Sequence, residues 1–334
     1  MQNFPILTFT GSAARTPSRL IDPVTFFIAL TFVLGALGYR GAVAWQDTPA
    51  SAEKPTESVP EQATVHPNPN AAKVIQQTRH RLFDYDTIQA GITQKVSLGQ
   101  YKFQSTGTFT SAKDFRFRLE YLVELGNMEG RFLEVCDGQI LHTRRSIGKQ
   151  NVAGPAGAVQ TSPDVTLTRR DIQKILKETR QNLDKPDVVQ AAEIGIGGLP
   201  AVLASLERSL VFDAMQEDSL DGQAVYVVEG QWKADRREKL LAGLGSITNQ
   251  VAGFVPDRVR VYINKQTMFP VRFAYLKKAS QESENFRSIL TVNLSDVRLN
   301  QPVPPQAFGY SAPIGMEEVD ETAMYLEFLK AESN

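Results

Sequence analysis

Cysteine is almost absent from this 334-residue chain: Cys136 stands alone, so no internal disulfide can form. A chain of this length buries enough core not to need one, even outside the cytoplasm. Cys136 falls in a strand pattern before a turn, where a buried free thiol is the ordinary reading. Histidine is nearly as scarce. His66, His80 and His142 are far apart, with no Cys or His partner at metal-binding spacing, which removes zinc and histidine-based catalysis. Gly-x-Ser-x-Gly, His-Glu-x-x-His and a Ser–Lys pair at helical spacing are all missing. The glycines at 195, 197 and 198 have neither the preceding strand nor the later acidic residue of a nucleotide loop, and read as a turn between two helices. Asp84, Asp86 and Asp114 flank turns, where short carboxylates bond the backbone. A net charge of −1 gives no electrostatic footprint for nucleic acid or an anionic membrane. Arg144-Arg145 and Arg236-Arg237 are short basic pairs on solvated faces, and the sequon at Asn293 lies inside a strand pattern. No catalytic residue, metal site or cofactor is assigned, and the expectation is a protein that is not an enzyme.

Long apolar runs are scarce too, and one is present: Val24 to Leu37. Arg15 and Arg19 precede it and Ala42-Val43-Ala44 follows it, the order of a secretory leader. At 14 residues the run is shorter than the ~20 of a comfortable bilayer span. Leu20, Ile21 and Tyr39 extend it towards one, with Asp22 and Pro23 interrupting. A cleaved leader and an uncleaved inner-membrane anchor over 1–44 both stand, and both place the remainder in the periplasm. No Cys near the leader end offers a lipid attachment site. Residues 45–70 are rich in Pro, Ala, Ser, Thr and Glu and poor in large apolar side chains, so they read as a disordered linker.

The folded region, 71–334, opens with a helix to about Phe83, whose apolar face carries Val74, Ile75 and Leu82. The period then changes to two. Ile88, Ala90, Ile92 and Gln94 make one strand, and Tyr101, Phe103 and Ser105 a second after a turn at Leu98-Gly99. Phe115, Phe117, Leu119 and Tyr121 alternate with Arg116, Arg118 and Glu120, a third strand apolar on one face. Asp137-Gly138 closes a hairpin, and Asp221-Gly222 marks another turn. A loop is expected from Gly148 to about Val165, and helices over 169–183, 186–193 and 200–210. Strands return over 210–215, 224–229, 258–263, 271–276 and 286–297. The fold class is α+β: a curved antiparallel sheet of about nine to eleven strands, an incomplete barrel, covered by a few helices.

These segments, in order, resemble the LolA/LolB-like superfamily of bacterial-envelope lipoprotein carriers, which includes the N-terminal domain of RseB-type stress regulators. The opening helix followed by Ala90-Gly91-Ile92-Thr93-Gln94 carries part of the likeness. Gly107-Thr108-Phe109, then Asp114-Phe115-Arg116-Phe117, carries the second and third strands. The Asp-Gly hairpin at 137–138, the late strand pair 259–273, and Phe308, Pro313 and Gly315 complete it. Where such carriers place Arg-Pro before the Arg-aromatic step, this chain reads Ala112-Lys113.

The resemblance implies an apolar cavity between sheet and helices that takes an acyl chain, at about 0.8 kcal/mol per buried methylene. Phe115, Phe117, Leu119, Tyr121, Phe132, Phe273 and Tyr275 are its candidate lining. The implied partner is a hydrophobic ligand (an acyl chain, lipid or lipoprotein), with a membrane protein as a second and no nucleic acid. The alternative keeps the same fold with those aromatics as solid core. It is then a membrane-tethered structural or regulatory protein working through its surface.

Overall fold

The computed structural model describes residues 66–98, 101–125, 128–149, 164–180, 185–243, 252–280, 283 and 285–333. The leader over 1–44, most of the linker, the Leu98-Gly99 turn and most of the loop expected at 148–165 lie outside the described residues. Helix α1 (Pro69–Asp84) begins where Asn68 caps it, its side chain accepting from the Asn70 and Ala71 amides at 3.0 and 3.3 Å. Pro69 sits at the first turn, where a missing N–H costs nothing. The stripe Ala71, Val74, Ile75, Thr78 and Leu82 is buried, as the periodicity predicts.

Six strands follow as a meander: β1 (Thr87–Leu98), β2 (Tyr101–Ala112), β3 (Arg116–Leu125), β4 (Met128–Asp137), β5 (Ile140–Lys149) and β6 (Asp164–Asp171). Helices α2 (Ile172–Arg180), α3 (Pro186–Ile196) and α4 (Gly198–Ser209) interrupt the sheet, followed by β7 (Leu210–Leu220) and β8 (Gln223–Trp232). After α5 (Ala234–Gly243) come β9 (Arg258–Asn264), β10 (Pro270–Lys278), β11 (Phe286–Leu299), the short β12 (Val319–Asp320) and α6 (Thr322–Ser333). The order across the sheet is β12-β6-β5-β4-β3-β2-β1-β11-β10-β9-β8-β7. Every pairing is antiparallel except β12 with β6. The edge strands do not pair with each other, so the curved sheet stays open.

Two meanders meet in the middle, where β1 pairs with β11 across some two hundred residues of sequence, Ile92 opposite Leu294. The two Asp-Gly turns form as read. Asp137 accepts from the amides of Gln139 and Ile140 at 2.8 and 2.9 Å, and Asp221 and Gly222 are both left-handed.

Among the described residues there are twelve strands, where nine to eleven were expected. Val319–Asp320 is too short to show a period, and Asp164–Asp171 hides in sequence because Arg169, Asp171 and Ile172 also suit a helix start. That segment is a strand up to Asp171, and α2 begins only at Ile172. Helix α6 was not expected; Tyr325 and Leu329, one turn apart, are buried against the helical layer. Among the described residues no helix is long and apolar enough to cross a membrane.

Candidate functional site

The helices cover one face of the sheet, and a small apolar chamber lies between them. Its floor comes from two neighbouring regions of the sheet: Phe109, Leu119 and Tyr121 on β2 and β3, and Phe273 and Tyr275 on β10. Strands β1 and β11 lie between them and contribute Ile92, Gln94 and Leu290, among others. Helix α4 is the roof, with Leu199 and Val202 facing down. The chamber measures about 60 Å³, and among the described residues no charged side chain lines it.

A second cavity of about 230 Å³ adjoins it, and the two share Phe109 and Gly198. Its inner wall is apolar, with Leu82, Ile88 and Phe117, and the buried, Arg79-paired Glu193 also lines it; its rim carries Lys113, Asp114 and Arg116. Lys113 donates to the backbone oxygens of Phe83 and Asp84 at 3.2 and 2.8 Å. It thereby holds the end of α1 against the β2–β3 turn, on the carbonyls a helix leaves unpaired.

The structure separates the seven candidate residues. Leu119, Tyr121, Phe273 and Tyr275 line the chamber. Phe117 lines the wider cavity, its ring 6.5 Å from that of Phe109. Phe132 is buried beside Tyr121, ring centroids 6.3 Å apart, one strand further from the chamber. Phe115 is not on the strand at all. It closes the turn before β3 with φ of 60°, so the alternation that joins it to Phe117 breaks at Arg116. A bulky residue rarely holds that conformation. Its half-buried ring instead meets Phe83 of α1 edge-on at 6.1 Å, at the rim of the wider cavity.

Sequence reading missed Gln94, Phe109, Leu199 and Val202 as lining. The available signal was Gln94, a polar residue ending an otherwise apolar alternation. It is buried, and its amide oxygen accepts from Ser105 at 2.9 Å. Beside it the Tyr121 phenol lies across β2 at Gly107, where an added Cβ falls 2.9 Å from the Tyr121 ring. Burial pushes the phenols of Tyr121 and Tyr275 well above their usual range.

The roof is anchored by charge. Arg79 of α1 is buried between Glu207 of α4, with Nε 2.6 Å from Oε1, and Glu193 of α3, which its Nη1 contacts. Gln190 adds a bond to Glu207 at 3.2 Å. Between α3 and α4 the chain turns at Gly197 and Gly198, with φ of 88° and 74°. Gly197, with ψ of −168°, occupies a region essentially closed to other residues. Its Cα rests on Phe117: an added Cβ falls 2.9 Å from that ring.

Other polar features lie elsewhere. His142 bonds Glu318 at 2.9 Å and stacks on Tyr310 at 4.4 Å. Cys136 is buried, and burial pushes its thiol up to about 12, which leaves it unreactive. Among the described residues no group of His, Cys, Asp and Glu is arranged to hold a metal ion.

No protein-family model matches the chain, and no curated protein matches it. Solved structures do. LprF from Mycobacterium bovis is 15% identical over 73% of this chain and 99% of that one, with a TM-score of 0.35. The Mycobacterium tuberculosis lipoprotein LppX is 12% identical over 71% and 98%, with a TM-score of 0.34. A LolA superfamily protein from Nitrosomonas europaea is 12% identical over 72% and 97%, with a TM-score of 0.26. The superfamily that the sequence resembles is named among them. With TM-scores below 0.5 none carries an argument, and the functional reading rests on this chain's own geometry.

Proposed function

We propose that this chain is a non-enzymatic envelope protein that binds the acyl chain of a lipid or lipoprotein between its sheet and its helices. One observation carries the reading. An uncharged chamber beneath α4 adjoins a wider cavity with a charged rim, and Phe109 and Gly198 belong to both. That is the layout an amphiphile needs: an apolar interior for its chain and polar groups at the mouth for its head. The apolar run at 24–37 supports a periplasmic address, whether it is cut or kept as an anchor.

At about 60 Å³ the inner chamber is far below the ~300 Å³ of ordinary ligand pockets. Uptake therefore requires Leu199 and Val202 of α4 to draw off the sheet. The same small volume favours a second reading, in which the core is filled and a membrane-tethered protein works through its surface.

Uptake of the fluorescent probe N-phenylnaphthylamine separates the two. Wild type is expected to bind it, and Val202→Trp, which fills the chamber from the roof, is expected to lose most of that binding. Overpacking of this kind costs about 1–3 kcal/mol, so the variant should remain folded by circular dichroism. No uptake by wild type would overturn the carrier reading and leave the second.

A further inference from the structure

The inner chamber is uncharged, but the wall that the sheet supplies, its floor, is not wholly apolar. Gln94, Tyr121 and Tyr275 bring an amide and two phenols into a cavity whose other lining is aliphatic, aromatic or glycine. The polar groups are ordered. Ser105, fully buried, donates to the Gln94 amide oxygen at 2.9 Å. Gln94 and Tyr121 line the chamber together. A phenol has its own proton to give. Tyr275, on the opposite side of the β1–β11 seam, faces the same chamber of about 60 Å³.

We propose that this wall is a recognition site for an uncharged hydrogen-bond acceptor within an acyl ligand, namely an ester or amide carbonyl, which Tyr121 and Tyr275 meet with their O–H groups. The inference rests on the acyl-binding reading above and names the chemistry that the site selects. Both phenols stay protonated across the physiological range, because burial raises them, so they serve as donors. A free carboxylate is a poor fit. Among the described residues no cation lines the chamber, and the Glu134 carboxyl stands on the strand next to that of Tyr121. A plain alkyl end is a poor fit as well, since it would leave two buried phenols without an acceptor.

The test is displacement of N-phenylnaphthylamine from the full chain by methyl palmitate, by an n-alkane of equal length and by palmitate. Wild type is expected to prefer the ester over the alkane by about three- to tenfold, the worth of a neutral hydrogen bond. Palmitate is expected to bind less well than the ester. Tyr121→Phe/Tyr275→Phe keeps the rings and should lose the ester preference, read as the ratio of ester to alkane displacement within the variant so that a change in its probe affinity cancels. If the double variant fails to fold, each single change should lower the preference on its own. Equal displacement by ester and alkane, a preference that survives in the variants, or tighter binding of palmitate would overturn the inference. If wild type takes up no probe at all, the carrier reading itself falls and takes this inference with it. Dioleoylglycerol and a synthetic triacylated lipopeptide, titrated in the same way, distinguish a lipid from a lipoprotein as the source of the ester.

Discussion

Single residues decide how the site is shaped. Gly197 holds a conformation that only glycine adopts easily, with its Cα against Phe117. Gly197→Ala is expected to destabilise the fold by about 1–3 kcal/mol in urea unfolding, and unchanged stability would show that the α3–α4 turn relaxes freely. The sequence showed that this glycine cluster was a turn between helices. It did not show that Phe117 lay beneath it, because that contact spans some eighty residues. Phe115 misled for a different reason: its period with Phe117 is right for a strand, but the three-residue turn Lys113–Phe115 has already left the pleat. Glu134 supplies a pH test. Burial raises its carboxyl above the ordinary 4.5, against the opposing pull of Arg170 and Arg145, and one of its oxygens is buried without a bonding partner. A raised folded-state value means that the native state holds the proton longer than the unfolded one. This group's contribution to stability is therefore greatest below about 4.5 and is lost as pH rises through the raised value. Glu193, raised by burial despite Arg79, acts in the same direction. Glu134→Gln is expected to flatten the fall of stability with rising pH, measured by thermal melts across pH 4–8; an unaltered slope would contradict it.

At the scale of elements, three helices share one buried charge cluster. Arg79 bonds both Glu193 and Glu207, so α1, α3 and the roof helix α4 are fixed to one another through a single guanidinium. Arg79→Met strands two buried carboxylates and is expected to cost about 3–5 kcal/mol. Replacing both glutamates by Gln in that background should recover much of the loss, because the three act as a unit. A purely additive set of losses would contradict the cluster. Periodicity alone marked α1, because Val74, Ile75 and Leu82 fall on one face above polar neighbours. It also marked the Asp-Gly hairpins, whose turn chemistry is local. The charge cluster was illegible, since Arg79 and Glu207 are 128 residues apart in the chain. Strand β6 was illegible for a local reason: its Arg169–Asp171 end runs straight into α2 and shares its composition.

The whole molecule is two antiparallel meanders joined at β1–β11, with the inserted helices folded back over the seam. The α+β class and the half-barrel outline were legible, because period-two segments dominate both ends of the folded region and helical ones sit midway. The chamber was only half legible: Leu119, Tyr121, Phe273 and Tyr275, candidates through the resemblance, lie around it. The roof residues Leu199 and Val202 were not candidates, since nothing local tells which helix lies over which strand. The central claim is that this interior is built to open around an acyl chain. Native mass spectrometry of the chain, purified from a bacterial envelope without detergent, tests it most directly. The expected result is a population carrying extra mass that releases acylated species on organic extraction, and that is reduced in Val202→Trp. A single clean mass for wild type, with no acyl species in the extract, would contradict it.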